Sequence, residues 1–360
     1  MKRLRVKSSA GGYDVVVGRG AWRALRRLHG YTSVFVLTEP PLWERWGSKF
    51  ARDAGWGSVR PLFVPSGESS KSLVRVERVA SELLERGADR RSLLVAFGGG
   101  VVGDLGGFVA STYMRGIDYV QAPTTLVAQV DSAIGGKTAV NVRAMKNLVG
   151  TFYPPRLVVS EPAVLASLPA RAFQSGLYEV VKHAILSGPA FFRFLESKMA
   201  ALGPRQTRSL ETLVARAAQV KVDVVSRDER ESGLRRVLNL GHTFGHALEE
   251  ATGYRRFLHG EAVAWGLLLA TRLAELVGVL DRARGKRIAD LVRQVGPLPP
   301  IRDLRVERVL GLLPRDKKAV GGKINWVLPE RIGKVRITPD VPDTAVAAAF
   351  RDVQRGAWNE

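Results

Sequence analysis

Short apolar runs alternate with amphipathic stretches along the first half of the chain. Arg5 to Val6 and Tyr13 to Val17 read as strands joined across a Gly11-Gly12 turn. Val34 to Leu37 is a short apolar run closed by polar residues and prolines, and it reads as a buried strand. Between Val74 and Glu85, the residues Val76, Val79, Ala80, Leu83 and Leu84 fall on one side of a helix. Leu93 to Phe97 is a second buried strand. This alternation predicts a parallel, doubly wound α/β sheet.

The pattern changes near Glu161-Pro162. Helical spacing then covers Ala172 to Leu186, Phe191 to Met199, Thr207 to Val225, Leu238 to Ala251, Gly260 to Val277 and Arg284 to Gln294. Ile324 to Leu328 and Val335 to Ile337 read as a strand pair. Two domains are expected: an α/β domain over residues 1–161 and a mainly α-helical domain over 162–360. With 360 residues, 46% of them hydrophobic, the chain can bury a sizeable core.

Composition narrows the function classes. No apolar run reaches the ~18 residues of a membrane span, and the basic start, Met1 to Val6, leads directly into strand-like sequence without a signal-peptide core. There are no cysteines, so a transition metal would rely on His, Asp and Glu. A cytoplasmic enzyme is expected. The net charge is +21 with a pI near 10.7. The basic residues are dispersed and no long basic run occurs, which argues against nucleic acid and for a solvated Arg-rich surface that can also steer an anionic small molecule.

After the strand at Leu93 comes Gly98-Gly99-Gly100-Val101-Val102-Gly103-Asp104, with Gly98, Gly100 and Gly103 at G-x-G-x-x-G spacing. Such a turn lets backbone amides approach a pyrophosphate at a helix N-terminus. The acidic residue that normally follows about 20 positions later is not obvious, because Asp118 sits in an Arg-Gly-Ile-Asp turn. Glu39, at the end of the strand begun at Val34, is better placed for a ribose hydroxyl. The expectation is a dinucleotide in a Rossmann-like but non-standard site.

The five histidines are His29, His183, His242, His246 and His259. His242 and His246 are four apart and share a helix face. Glu179 lies in Leu177-Tyr-Glu-Val-Val-Lys-His, three residues before Lys182. A carboxylate plus two imidazoles suits a catalytic metal, and spacing favours His242 with His246; structural histidines are the alternative. His29 is expected at the surface, His183 at the surface or behind the site, Gly106 and Gly107 in packing, and Glu249 and Glu250 on a solvated helix face.

These blocks resemble the 3-dehydroquinate synthase family of sugar-phosphate cyclases. The stretch from Gly98 to Pro155 carries Gly-Gly-Gly-Val-Val-Gly-Asp-Leu-Gly-Gly, then Pro-Thr-Thr-Leu-Val-Ala-Gln-Val-Asp-Ser-Ala-Ile-Gly-Gly-Lys-Thr-Ala-Val-Asn, then Lys146-Asn147-Leu-Val-Gly-Thr-Phe-Tyr-Pro-Pro. Ser66 to Lys71, Glu179 to His183, Arg235 to His246, His259-Gly-Glu and Asp316-Lys-Lys follow in the family's order. The resemblance covers roughly residues 13–340. It implies conversion of 3-deoxy-D-arabino-heptulosonate 7-phosphate to 3-dehydroquinate and phosphate, in the pathway to aromatic amino acids. NAD takes a hydride from a hydroxyl, phosphate is eliminated, the hydride returns, and an intramolecular aldol step closes the ring.

The resemblance also implies roles. Glu179, His242 and His259 hold a divalent metal, Zn or Co, and His246 relays protons at the substrate. Glu68, Lys71, Gly99, Gly100, Val101, Gly103, Asp104, Thr124, Thr125, Lys137, Lys146, Val164, Leu165, Ala166 and Ser167 contact NAD. Arg115, Asp131, Lys137, Asn147, Lys182, Lys221, Arg235, Asn239, His246 and one of Lys317 and Lys318 contact substrate, with Asp131, Lys137, Lys182, Asn239 and His246 catalytic. The first domain is thus the NAD-binding one, the second binds metal and substrate, and a homodimer is expected. Thr38-Glu39-Pro40-Pro41 departs from the family's Asn-containing signal, and Ser167-Leu-Pro replaces a more usual Thr-Leu-Pro. Rival readings are a sibling cyclase acting on glucose 6-phosphate or sedoheptulose 7-phosphate, and an iron-type polyol dehydrogenase on the same fold.

Overall fold

The computed structural model describes residues 1–9, 11–57, 59, 61–143, 145–313 and 324–356. The chain divides into two compact units, Met1–Leu168 with Pro204–Arg230, and Pro169–Gly203 with Glu231–Glu360.

In the first unit the apolar runs form strands β1 (Lys2–Val6), β2 (Tyr13–Val17), β3 (Val34–Thr38), β4 (Pro61–Phe63), β5 (Leu93–Gly98) and β6 (Asp118–Pro123), the hairpin β7 (Lys137–Val142) and β8 (Met145–Phe152), and strand β9 (Leu157–Ser160). Seven of them make one sheet of order β1-β2-β9-β6-β5-β3-β4, in which only the β1–β2 pair is antiparallel. Period-two alternation divides each central strand between two cores. Phe35, Leu37, Leu94 and Ala96 pack in one core; Val36, Leu93, Val95 and Phe97 pack in the other, with Trp22 and Phe50. Phe50 stacks on Phe97 with ring centroids 4.2 Å apart. Every position of β5 is buried, as expected for a strand covered on both faces.

Helices α1 (Pro40–Ala54), α2 (Leu73–Glu85) and α3 (Gly100–Thr112) flank this sheet. From β3 the chain steps outward to β4 and then back across to β5, so the strand order reverses between β3 and β5. Ligands of open α/β sheets bind beyond the strand ends at such a reversal. Here that point gathers Glu39, after β3, and the glycine turn, after β5.

The second unit is built from α4 (Ala170–Ser187), α5 (Pro189–Lys198), α7 (His242–Ala251), α8 (His259–Leu276), α9 (Arg282–Gln294), α10 (Val306–Leu310) and α11 (Asp343–Arg355), with a hairpin of β10 (Trp326–Arg331) and β11 (Lys334–Thr338). Helix α8 is its axis and packs against α4, α7, α9 and α11. No helix among the described residues is long and apolar enough to cross a membrane.

Four features differ from the sequence reading. Helix α6 (Thr207–Arg227) groups with the sheet and packs against β1 and β2, where Leu210, Leu213, Val214 and Val222 are buried. The helix expected over Leu238 to Ala251 is broken: Leu234–Asn239 is a 3-10 turn, Gly241 takes φ 80°, and α7 begins at His242. A side chain at 241 would also meet the Val263 carbonyl at 2.9 Å, so the break needs glycine. Helix α1 escaped notice because Pro40-Pro41 reads as a stop, whereas proline also suits a helix's first turn. Asp118, read as part of a turn, opens β6 opposite Leu93.

Candidate active site

The second unit brings Glu179, His242 and His259 together. Glu179 lies on α4 with no exposure; His242 and His259 are the first residues of α7 and α8. Local bonds fix these positions. The Gly260 N–H donates to Ser175 Oγ on α4 at 3.0 Å. Glu261 accepts the Leu258 N–H at 2.7 Å and is gripped by Arg171 Nε and Nη2 at 2.6 and 2.8 Å. Together these set the start of α8 against α4.

One oxygen of Glu179 lies 3.3 Å from His259 Nε2 and 3.8 Å from His242 Nε2. Its other oxygen pairs with Lys182 Nζ at 2.5 Å, and both side chains are buried. His242 Nδ1 lies 3.2 Å from the Leu240 carbonyl; donation there leaves the lone pair on Nε2, the nitrogen that faces Glu179. The three ligand atoms lie within 4.8 Å of one another. Metal–ligand bonds of 2.0–2.2 Å in a tetrahedron imply ligand separations of about 3.4 Å, so this donor set fits a divalent metal. Burial alone would lower the His259 imidazole, but Glu179 and Glu249 outweigh it and push it up to about 10: this corner attracts positive charge.

Glu249 is the residue that sequence reasoning missed. Expected on a solvated face, it is 3% exposed, and its Oε2 is 3.4 Å from His259 Nδ1. Its position three residues after His246 on a helix was the available signal. His246 also stands close, its ring centroid 5.5 Å from that of His242, and it forms a second possible ligand group with Glu249 and His259. Asn239 Nδ2 donates to Glu231 Oε1 at 2.6 Å, and Arg235 is buried. His183 is fully buried, so a surface position is excluded; His29 is exposed. Lys317 and Lys318 lie outside the described residues.

In the first unit the glycine turn closes tightly. A side chain at Gly103 would meet Gln121 Oε1 at 2.7 Å, and Gln121 Nε2 donates to the Gly103 carbonyl at 3.1 Å. This seats α3 against β6. Gly99, Gly100 and Val101 open α3, and the Thr124 N–H donates to the Gly98 carbonyl at 2.9 Å, bringing Thr124 and Thr125 to the same strand ends. Val164, Leu165, Ala166 and Ser167 lie in a 3-10 turn after β9, and Ser167 accepts a bond from Trp46 Nε1 at 2.9 Å. Lys71, 4% exposed, donates to both Asp104 and Asn147. Burial pushes the Asp104 carboxyl up against the opposing pull of Lys71. Glu39 is raised by burial too, though Ser66 and the Gly67 N–H bond to it. Lys137 and Lys146 stand on the β7–β8 hairpin, and Arg115 holds φ 68° after α3. Asp131 and Lys221 form a buried ion pair. Gly106 and Gly107 are packing positions, where a side chain would run into Ala96 and Thr138 respectively.

The profile of the 3-dehydroquinate synthase N-terminal family matches residues 61–175, and that of the C-terminal family matches residues 176–319. A 3-dehydroquinate synthase of Koribacter versatilis is 44% identical, with 98% of each chain covered. One from Dictyoglomus thermophilum is 42% identical, again over 98% of each. Among solved structures, 2-epi-5-epi-valiolone synthase of Streptomyces hygroscopicus with NAD+ and Zn2+ bound superposes with TM-score 0.86 at 30% identity, covering 99% of both chains. A 2-deoxy-scyllo-inosose synthase complexed with carbaglucose-6-phosphate, NAD+ and Co2+ gives TM-score 0.86 at 25% identity, covering 98% of this chain and 99% of the other. Two adjoining family profiles and near-complete relatives above 40% identity place the chain in the 3-dehydroquinate synthase family.

Proposed function

We propose that the chain converts 3-deoxy-D-arabino-heptulosonate 7-phosphate to 3-dehydroquinate and phosphate, using NAD and a divalent metal. The observation that carries this is full-length kinship with 3-dehydroquinate synthases in a chain whose Glu179, His242 and His259 form a metal-sized donor set.

Glu179, His242 and His259 hold the metal; zinc and cobalt both suit two imidazoles and a carboxylate. When bound, the metal supplies Lewis-acid polarisation of substrate oxygens, and NAD supplies reversible hydride acceptance. The first-turn amides of α3 and the Gly99 to Asp104 segment receive the pyrophosphate, with Thr124, Thr125, Lys146 and the turn Val164 to Ser167 around the rest of the cofactor. Glu68 and Lys71 complete the cofactor set. The substrate set is Arg115, Asp131, Lys137, Asn147, Lys182, Lys221, Arg235, Asn239 and His246. Its cations match a phosphate and a carboxylate through charge-assisted bonds, and Asp131 and Asn239 match hydroxyls. His246, beside His242 and His259, moves the proton of the reacting hydroxyl.

A homodimer in the cytoplasm completes the reading. Exposed Met145, Leu148, Val149 and Phe152 on β8 support association with a second copy, which light scattering tests. For the reaction itself, the protein is incubated with NAD, Zn or Co, and the heptulosonate phosphate. Equal amounts of phosphate and dehydroquinate without net NADH are expected. Accumulating NADH would point to a polyol dehydrogenase, and turnover of glucose 6-phosphate or sedoheptulose 7-phosphate instead would point to a sibling cyclase.

A further inference from the structure

Asn141, near the end of β7, bonds to three residues of the candidate site. Its backbone N–H donates to the Lys71 carbonyl at 2.8 Å. Its Nδ2 donates to Glu68 Oε1 at 2.8 Å. Its Oδ1 accepts the Asn147 N–H at 2.9 Å. Lys71 Nζ then donates to Asn147 Oδ1, so Glu68, Asn141, Asn147 and Lys71 form one connected network.

The chemistry of the amide explains the choice of residue. Asn147 holds φ 53°, a left-handed conformation that few residues other than glycine adopt. The Asn141 oxygen grips its N–H and the Lys71 ammonium grips its side chain. Only an amide of this length offers a donor to the Glu68 carboxylate and an acceptor to a backbone N–H at once. Aspartate would face Glu68 with like charge and no donor; alanine would reach neither.

We propose that Asn141 is a positioning residue that ties the turn bearing Glu68 and Lys71 to Asn147, so that NAD and substrate each strengthen the other's binding. This rests on the reading above, in which Glu68 and Lys71 contact NAD and Asn147 contacts substrate. Such coupling is reciprocal by necessity.

The test is calorimetric titration of NAD into the zinc-loaded full chain, with and without a phosphonate analogue of the heptulosonate phosphate that cannot eliminate. In the unaltered protein the analogue tightens NAD binding about tenfold. In Asn141→Ala that enhancement shrinks to about twofold or less, while zinc content and melting temperature stay as they were. In Asn141→Asp the acceptor for Asn147 remains and the link to Glu68 is broken. Coupling is lost there too, but KM for the heptulosonate phosphate rises less than in Asn141→Ala. Full coupling in folded Asn141→Ala overturns the proposal; if that variant fails to fold, full coupling in Asn141→Asp does so. An unaltered protein that binds NAD and turns over but shows no coupling also overturns it. An unaltered protein that binds no NAD, or leaves the heptulosonate phosphate untouched, overturns the functional reading and this inference with it.

Discussion

Glu249 Oε2 lies 3.4 Å from Nδ1 of His259, while Nε2 of the same ring faces Glu179 at 3.3 Å. A carboxylate on one imidazole nitrogen holds the ring in place and keeps the proton there, leaving the other nitrogen's lone pair for a metal. Glu249→Ala is expected to weaken zinc binding about 10- to 100-fold, measured by competition with a chelating dye. Glu249→Gln, which can still accept from Nδ1–H, should lose less. Unchanged zinc affinity in both variants would show that this contact does not orient His259.

His259 and His246 are expected to separate metal binding from turnover. His259→Ala should emerge from gel filtration without zinc. His246→Ala should keep zinc and lose phosphate release by about 100-fold or more, the scale of a lost proton-transfer group. Zinc loss in His246→Ala, by metal analysis, would instead assign that histidine as a ligand.

Chelation should stop catalysis without unfolding the chain. The helices that carry the three candidate ligands pack through buried apolar residues such as Val180, Val181, Phe244, Val263 and Leu267. Dialysis against a strong chelator is therefore expected to abolish phosphate release, leave the far-UV circular dichroism intact, and allow recovery with zinc or cobalt. A collapse of the helical signal would contradict this.

Gly266→Ala should destabilise the second unit. A side chain there would run into the Gly241 carbonyl, at the break that ends just before His242. A cost of about 3 kcal/mol is expected, read as a lower denaturant midpoint, because backbone cannot give way as a side chain would. A wild-type midpoint would mean that α7 and α8 separate without difficulty.

Legibility in the sequence followed physical locality. The β3, α2 and β5 segments express their periodicity within a few residues, and they were readable from it. The metal corner was not. Spacing sees one helix at a time and pairs His242 with His246, whereas the close approach of Glu179, His242 and His259 depends on the starts of two helices and the middle of a third. Their grouping was available only through family resemblance. Burial of Glu249 was hidden by its acidic neighbour Glu250, which made the pair look solvated. Helix α1 was hidden by its two leading prolines.

Helix α6 has a consequence for how the protein is made. The sheet-bearing unit is interrupted in sequence by residues 169–203 and regains α6 only afterwards. A ribosome that has emitted residues 1–168 has released a sheet still lacking the helix that covers β1 and β2, and lacking Lys221, the partner of Asp131. The first unit cannot finish before the start of the second has already been synthesised, so the two are expected to mature together rather than in turn. For the same reason, neither cutting the gene at one point nor expressing its first half alone should yield a stable fragment. A fragment of residues 1–168 joined by a short linker to 204–230 is the smallest piece that carries the whole unit.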